Sequence, residues 1–436
     1  MTKPTSLVAK ATHQATRVHN ERLVLGIIYD AGPVSRADVA RVTGLTRTTV
    51  SQVVDRLLES GFAREVGRGP STGGKAPILL EVADDARLLV GVDLGETRFH
   101  GALVNLRGEV RHSLEVPVED RDGDRALDAA YCLVEELSAS AHSPLAGIGI
   151  GTPGIVDTES GTVIRSVNLD WRDLPLGDLV RERFGLPTYV ANDSQAAALG
   201  EYVFGGASGP NLIAIKVGLG IGAGIILNGS LFQGDGFGAG EIGHVTVVLN
   251  GLACRCGRRG CLETVASTRA VVARIVRERA ELPAPSFDEI VAAYLAGDAL
   301  VVRAVDEAGA ALGSAVAGLI GALNVRRIVL TGSMSRFGDG WLEAVRRAAT
   351  QHSLAVLAAG TEIEIGQLGE DIVTLGASAL LLTRELGFSL TGLLMAEVVD
   401  ARAVADRARA ADARSGGLPA AEASSAGVRA AAGSLT

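Results

Sequence analysis

Four potential metal ligands lie close together in one glycine-rich stretch of this chain, residues 241–263. They are His244, Cys254, Cys256 and Cys261, and the whole chain contains only 4 cysteines. Three thiolates and one imidazole form the closed tetrahedral set that holds structural zinc. Reduced thiols packed as small hydrophobic groups are the alternative, but the polar, glycine-rich sequence favours a loop folded around an ion. The stretch therefore predicts a structural Zn²⁺ site.

Two carboxylates, Glu241 and Glu263, flank these ligands, one on each side. A metal ion that holds the loop closed would also fix both acids in space, because outer groups are oriented by the ligands they adjoin. The same segment is therefore expected to form a rigid polar binding site.

The pattern E-x-G-H followed by C-x-C-G-x-x-G-C-x-E is similar to the signature of the ROK family, which contains bacterial sugar kinases and sugar-responsive repressors. The resemblance extends over about residues 20–390. It implies a two-lobed, ribonuclease-H-like fold of the actin and hexokinase type. It also implies that Glu241, His244 and Glu263 contact a sugar, and that zinc is bound by His244 and the three cysteines.

The resemblance adds three residues to the sugar site: Asn168, Asn192 and Asp193. In the kinases of the family, the acid that matches Asp193 is the general base that takes a proton from a sugar hydroxyl. From the residues alone, a turn with a helix cap explains Asn192 and Asp193 equally well.

The N-terminal segment has the pattern of a winged helix-turn-helix. Apolar residues predict a first helix over 20–29, Ser35 is placed to cap a second helix over 36–42, and Thr46 to cap a third over 47–59. Two short helices joined by a glycine-containing turn are a helix-turn-helix. The strands FAREVG and ILLEV, joined by a polar turn, then predict a hairpin with a basic tip.

The third helix carries the side chains that we expect to contact double-stranded operator DNA, because a recognition helix presents its N-terminal residues to the major groove. These are Arg47, Thr48, Thr49, Ser51 and Gln52. In the wing, Arg68 and Lys75 are placed to reach phosphates or a minor groove. Residues 1–82 contain 11 Lys and Arg against 7 Asp and Glu, so they carry +4 and the remainder −13. A basic module on an acidic body suits a polyanionic partner, although a small protein-interaction module is the alternative.

A strand–turn–strand pattern occurs twice in the body of the chain. A shift of 123 residues places Gly95 on Gly218, Gly101 on Gly224 and Asn105 on Asn228. The repeat predicts a duplicated α/β unit, which agrees with the two lobes implied by the family.

The predicted organisation has four parts: a flexible arm (1–19), the winged helix-turn-helix (20–85), the two-lobed ROK domain (86–390) and a disordered tail (391–436) rich in Ala and Arg. The chain shows no run of eighteen apolar residues and no apolar signal core. We therefore expect no membrane span and a cytoplasmic location.

Three residues on the predicted nucleotide side depart from the kinase pattern. Glu96 replaces a glycine in the turn D-x-G-G-T-K, Leu219 replaces a threonine, and Ser333 follows Gly332 where kinases tend to have glycine. A carboxylate beside phosphates repels them, so ATP binding is expected to be lost while sugar binding is kept.

The sequence thus predicts a DNA-binding repressor of carbohydrate uptake or catabolism genes rather than an enzyme. A sugar, amino sugar or sugar phosphate would release it from DNA, and a homodimer or homotetramer would bind the operator. The alternatives are a regulator that still phosphorylates its sugar through Asp193, and a sugar kinase whose N-terminal module only mediates assembly.

Overall fold

The structure, a computed structural model, describes residues 13–70, 76–118, 122–206, 209–279 and 285–386. The N-terminal module consists of α1 (His13–Ala31), β1 (Val34–Ser35), α2 (Arg36–Thr43), α3 (Arg47–Glu59), β2 (Ala63–Arg68) and β3 (Ile78–Val82). Its three strands form a sheet in the order β1-β3-β2. The winged helix-turn-helix prediction is confirmed, including the caps: Ser35 accepts from the Asp38 amide and Thr46 from the Thr49 amide.

The start of the first helix was predicted too late in the chain. Helix α1 begins at His13 and not at residue 20, so the predicted arm is wrong over 13–19. Polar residues of this part are helical because Arg17 and Glu21 pair one turn apart, and Glu21 also pairs with Arg56 of α3. Residues 1–12, and the predicted tail at 391–436, lie outside the described residues.

The first lobe is built on a five-stranded sheet in the order β11-β7-β4-β5-β6. Strands β11, β7 and β4 are parallel, and β5 and β6 continue antiparallel. Its elements are β4 (Leu88–Leu94), β5 (Arg98–Asn105), β6 (Val110–Pro117), α4 (Gly123–Ala139), β7 (Leu145–Thr152), β8 (Ile155–Asp157), β9 (Thr162–Ser166), β10 (Trp171–Leu174), α5 (Leu176–Phe184) and β11 (Thr188–Asn192). Strands β8, β9 and β10 form a small separate sheet.

The second lobe repeats this topology in the order β14-β13-β12-β15-β16. Its strands are β12 (Leu212–Val217), β13 (Ile221–Leu227), β14 (Ser230–Leu231), β15 (Arg327–Thr331) and β16 (Glu362–Ile365). Its helices are α7 (Glu263–Ala266), α8 (Thr268–Glu278), α9 (Phe287–Leu295), α10 (Ala299–Leu323), α11 (Asp339–His352) and α12 (Ala355–Ala358). Single 3₁₀ turns cover Ile242–His244, Ser333–Phe337 and Gly369–Asp371.

The predicted repeat is confirmed, because a shift of 123 residues carries β4 and β5 onto β12 and β13. The two-lobed α/β fold follows from this. Each lobe buries its own apolar core, one around β4 and β7, the other around β12 and α10. In each lobe the parallel strands end at the edge that faces the cleft, which is where open α/β sheets bind their ligands.

Two helices form the seam between the lobes: α6 (Asp193–Val203) and α13 (Ile372–Arg384). A Cβ on Gly376 would stand 1.7 Å from the carbonyl oxygen of Ala196, and one on Gly200 would stand 2.6 Å from that of Ile372. Only glycine permits this approach, so the two helices cross backbone against backbone.

The winged helix-turn-helix shares one apolar cluster with the first lobe, in which Ile28 of α1 joins Leu106 and Leu382. Polar contacts reinforce this junction. The Tyr29 hydroxyl donates to the Leu106 carbonyl at 2.8 Å, and Arg107 donates to the Tyr29 carbonyl at 2.8 Å while its guanidinium lies 4.2 Å from the Tyr29 ring centroid. The N-terminal module is therefore fixed to the end of β5 that lies away from the cleft.

Among the described residues, no helix combines the length and the apolar character that a membrane span requires.

Candidate functional site

The cleft between the lobes gathers most of the predicted site residues. Asp93 lies near the carboxyl end of β4, and Asn192 and Asp193 lie where β11, two strands away in the same sheet, passes into α6. From the second lobe, β12 brings Lys216 to the same place. The acids of the cleft are close enough to affect one another. Burial raises the pKa of Glu241, and the negative charges of Asp193 and Glu263 raise it further, against the lowering effect of His244.

The four predicted metal ligands converge. The ligand atoms of His244, Cys254, Cys256 and Cys261 all lie within 4.8 Å of one another. Cys254 Sγ lies 3.6 Å from His244 Nδ1, and Cys256 Sγ lies 3.7 Å from Cys261 Sγ. Sulfur ligands at ~2.3 Å from a tetrahedral zinc ion lie about 3.8 Å apart. The donor set and its spacing therefore fit zinc.

His244 can serve both the metal and the cleft because its two ring nitrogens face different neighbours. Nδ1 faces Cys254, whereas Nε2 lies 3.8 Å from Glu241 Oε2. A metal bound at Nδ1 leaves Nε2 as a proton donor toward the carboxylate or a ligand hydroxyl. A metal in this loop, residues 241–263 and called the metal loop below, would therefore hold Glu241 in place through one imidazole.

Asp193 is held by two groups. Its Oδ2 accepts from Lys216 Nζ at 2.7 Å, and its Oδ1 accepts from the Ser194 amide at 2.8 Å. Asp93 lies near the same lysine and is half-buried, and burial raises its pKa against the lowering effect of Lys216. Its Oδ1 has no hydrogen-bond partner among the described residues.

Glu96 fills the turn in which the kinases have a second glycine. One oxygen accepts from the side-chain amide of Asn168, and the other lies 2.7 Å from Arg269 Nη2 of α8. A carboxylate of the first lobe therefore joins a guanidinium of the second across the cleft. Among the described residues, the side-chain carbonyl oxygen of Asn168 has no hydrogen-bond partner, and its amide nitrogen faces Glu96.

Asn192 has the capping role that the residues alone also allowed. Its Oδ1 accepts from the Ser194 and Gln195 amides at 2.9 and 3.2 Å, and its Nδ2 donates to the Gly154 carbonyl at 2.8 Å. Only one N–H of this buried side chain remains for a ligand. Glu263 has one oxygen 3.4 Å from the Ile221 amide.

Most of the predicted DNA-contacting residues that the structure describes are exposed on the N-terminal module. Arg47, Thr48 and Gln52 are exposed on α3, Ser51 is half-buried, and Arg68 is exposed on β2. The Thr49 hydroxyl contacts that of Thr46 at 2.8 Å, so it stabilises the helix start. Lys75 lies outside the described residues.

Sequence reasoning missed two residues of the cleft, Lys216 and Arg269. Lys216 could have been found from the sequence, because it is the last lysine in the chain and interrupts the otherwise apolar strand LIAIKV. Arg269 gave none, since α8 contains several arginines. Only the fold shows which of them faces Glu96.

Comparison with known proteins agrees with both halves of this architecture. The ROK family matches residues 89–384, and the MarR family matches residues 17–70. The chain belongs to the ROK family.

Relatives within the ROK family include both regulators and kinases. The xylose repressor of Caldicellulosiruptor bescii is 34% identical over 392 residues, which cover 86% of this chain and 98% of that protein. A glucokinase of Halalkalibacterium halodurans is 37% identical over 318 residues, but this match covers only 69% of the present chain and 96% of the glucokinase. Among solved structures, a ROK family transcriptional regulator, a homologue of the E. coli Mlc protein, has a TM-score of 0.75, 27% identity, and covers 88% of this chain and 99% of its own.

The length of the repressor match decides which branch this chain resembles. The match covers 86% of the 436 residues, about 375, which is more than the 348 residues from 89 to 436, so it extends into the winged helix-turn-helix.

Proposed function

We propose that this chain is a sugar-responsive transcriptional repressor that binds operator DNA and is released by xylose. It acts in the cytoplasm as a homodimer or homotetramer on genes of carbohydrate uptake or catabolism. The observation that carries this proposal is the similarity to a xylose repressor over both the DNA-binding module and the ROK domain. The exposed start of α3, which carries Arg47, and the acid-lined cleft support it.

The sugar is bound by the polar groups that converge on the cleft. Asp193, Glu241 and Glu263 accept from sugar hydroxyls, the free carbonyl of Asn168 accepts another, and His244 Nε2 donates. Asn192 supports this set mainly as the cap of α6. A sugar shifts the protein between two states only by its difference in affinity for them. An operator affinity lowered about a hundredfold requires about 2.7 kcal/mol.

Structural Zn²⁺ is held by His244, Cys254, Cys256 and Cys261. The ion closes the metal loop and so fixes the positions of Glu241 and Glu263. It takes no further part, because four protein ligands leave no open position for a substrate.

DNA is read by α3 and held by the wing. Arg47, Thr48, Ser51 and Gln52 reach base edges or phosphates, with Thr49 at the helix start, and Arg68 and Lys75 contact the backbone. We expect Arg47→Ala and Gln52→Ala to cost about 1–3 kcal/mol of operator binding each. Lys75→Ala and Arg68→Ala should instead weaken binding to any DNA sequence, and should reduce the slope of log DNA affinity against log salt concentration by about one unit.

Phosphoryl transfer is not part of this function. Glu96 places a carboxylate, paired with Arg269, in the turn that would approach the phosphates. The presence of Asp193 supports one alternative, a regulator that also phosphorylates its sugar, but its ion pair with Lys216 opposes a role as general base.

The test begins with duplexes selected by the protein from a random-sequence pool. Fluorescence anisotropy should show that xylose lowers affinity for the selected duplex about a hundredfold, corresponding to the 2.7 kcal/mol above. ATP with xylose should give no ADP above background. Equal operator affinity with and without xylose, glucose and N-acetylglucosamine would refute the sensor, and sugar-dependent ADP release would support the bifunctional alternative.

A further inference from the structure

Lys216 is a basic residue at the centre of an acidic cleft, and the sugar site described above does not use it. It lies on the central strand β12, whose backbone is paired on both sides, with Gly222 of β13 and Thr331 of β15. Its side chain is 24% exposed and that of Asp193 18%. The strand fixes the backbone of Lys216, and the ion pair with Asp193 directs its flexible side chain into the cleft.

Three acids of the first lobe surround this ammonium group. Burial alone would lower the pKa of Lys216, but the charges of Asp193, Asp93 and Glu96 more than offset this effect and raise it. The group is therefore charged at neutral pH. Its hydrogen bond to Asp193 is charge-assisted, which makes it short and strong.

Both oxygens of Asp193 consequently have donors before any sugar arrives: Lys216 on Oδ2 and the start of α6 on Oδ1. A glucokinase phosphorylates the hydroxyl on the hydroxymethyl arm of glucose, so its general base must face that arm. Xylose in its six-membered ring form is the sugar that lacks this arm. At the corresponding acid of the present chain, an ammonium group stands 2.7 Å from the carboxylate oxygen.

We propose that Lys216 makes the cleft selective for a pentose, because its side chain fills the space in front of Asp193 that the hydroxymethyl arm of a hexose would need. The inference rests on the proposed function, in which Asp193 faces the sugar. It goes further by assigning the choice between sugar classes to one residue. Substrate discrimination by one extra carbon in a filled site is commonly ten- to a few hundredfold, about 10–200.

The experiment is isothermal titration of the full chain with xylose, glucose and glucose 6-phosphate. The wild type should bind xylose at least about tenfold more tightly than glucose. Lys216→Ala should reduce this ratio about tenfold or more, chiefly through tighter glucose binding. Lys216→Met keeps most of the side-chain volume without the charge, and should retain the preference for xylose.

Two controls separate selectivity from folding. Operator affinity without sugar should remain in both variants, which shows that they fold. Arg274→Ala removes a cation of α8 that pairs with Glu278 and Glu307 instead of a cleft acid, and should leave the ratio of xylose to glucose affinity unchanged.

The outcomes distinguish this inference from the function on which it rests. Xylose binding by the wild type with the same ratio in Lys216→Ala would overturn only the role of Lys216. Equal loss of preference in Lys216→Met and Lys216→Ala would overturn the argument from space. Tight binding of glucose 6-phosphate that disappears in both variants would make Lys216 an anion ligand and refute pentose selection. No binding of any sugar by the wild type would refute the proposed function as well.

Discussion

The first lobe has two interfaces of opposite character. Toward the winged helix-turn-helix it shares a continuous apolar cluster, reinforced by the hydrogen bonds of Tyr29 and Arg107 to backbone carbonyls. Toward the second lobe, the cleft is crossed by the ion pairs Asp193–Lys216 and Glu96–Arg269. Apolar burial resists separation in any state, whereas the partly solvated Glu96–Arg269 pair exchanges more easily for other contacts. We therefore expect the cleft to respond to the sugar and the junction to transmit the response to the winged helix-turn-helix.

The largest expected effect is at the cleft. Asp193→Ala should abolish sugar-induced release and give a constitutive repressor, a change of about a hundredfold in operator affinity with xylose present, or about 2.7 kcal/mol. Lys216 then loses its partner and the sugar loses an acceptor. Anisotropy on the selected duplex measures the effect. Asp178→Ala, an exposed acid in the first turn of α5, is the matched control, and normal release by Asp193→Ala would show that this acid does not sense the sugar.

Removal of one metal ligand should also weaken the sugar site in the cleft, but with a smaller effect than the loss of Asp193. Cys256→Ser should reduce zinc content and weaken xylose binding about ten- to a hundredfold, because outer groups lose their orientation when a ligand set is broken. Elemental analysis and calorimetry measure the two quantities. Cys132→Ser, which changes the remaining cysteine on α4, should alter neither, and full xylose affinity in a zinc-free protein would disconnect the metal from the cleft.

At the junction, the expected effect is on coupling and not on binding. Arg107→Ala should leave xylose affinity unchanged within about twofold, yet reduce the change in operator affinity caused by xylose about tenfold, which is about 1.4 kcal/mol of coupling. Arg183→Ala removes an arginine that lies similarly over Tyr131, 4.5 Å from the ring centroid, on the first lobe. It should leave the response intact. An undiminished response in Arg107→Ala would mean that the apolar cluster alone transmits the signal.

The smallest effect concerns pH at the junction. Burial raises the pKa of Asp30 to about 6, against the lowering effect of Arg107. A raised folded-state pKa contributes stability at low pH and loses it as the pH rises through about 6. When the pH is lowered from about 7.5 to about 5, the melting temperature of the wild type should therefore rise by about 2 °C relative to that of Asp30→Asn. The exposed Asp55→Asn serves as control, and parallel melting curves for wild type and Asp30→Asn would contradict a buried charge.

Local signals in the sequence sufficed for much of this fold. The caps Ser35 and Thr46, the repeat at 123 residues and the metal ligands each depend on residues near in sequence or on a repeated pattern. What could not be predicted depends on contacts between distant segments. Arg269 meets Glu96 across 173 positions of sequence, and the early start of α1 depends on pairing with Arg56. No local sequence pattern predicts contacts between residues so far apart in the chain.

The glycine crossing of α6 and α13 has a mechanical consequence. A contact made by backbones has no rotamers to rearrange, so the helices must turn about it as rigid bodies, and Gly376, where a Cβ would stand 1.7 Å from the Ala196 carbonyl oxygen, marks the pivot. Strand β5, with 8 residues, is then a lever about 24 Å long from the cleft to Arg107. A rotation of about 5° moves the far end of such a lever by about 2 Å. In a dimer both recognition helices would be displaced in opposite senses, and a mismatch of about 4 Å against the fixed spacing of two DNA half-sites is enough to break the register of base contacts.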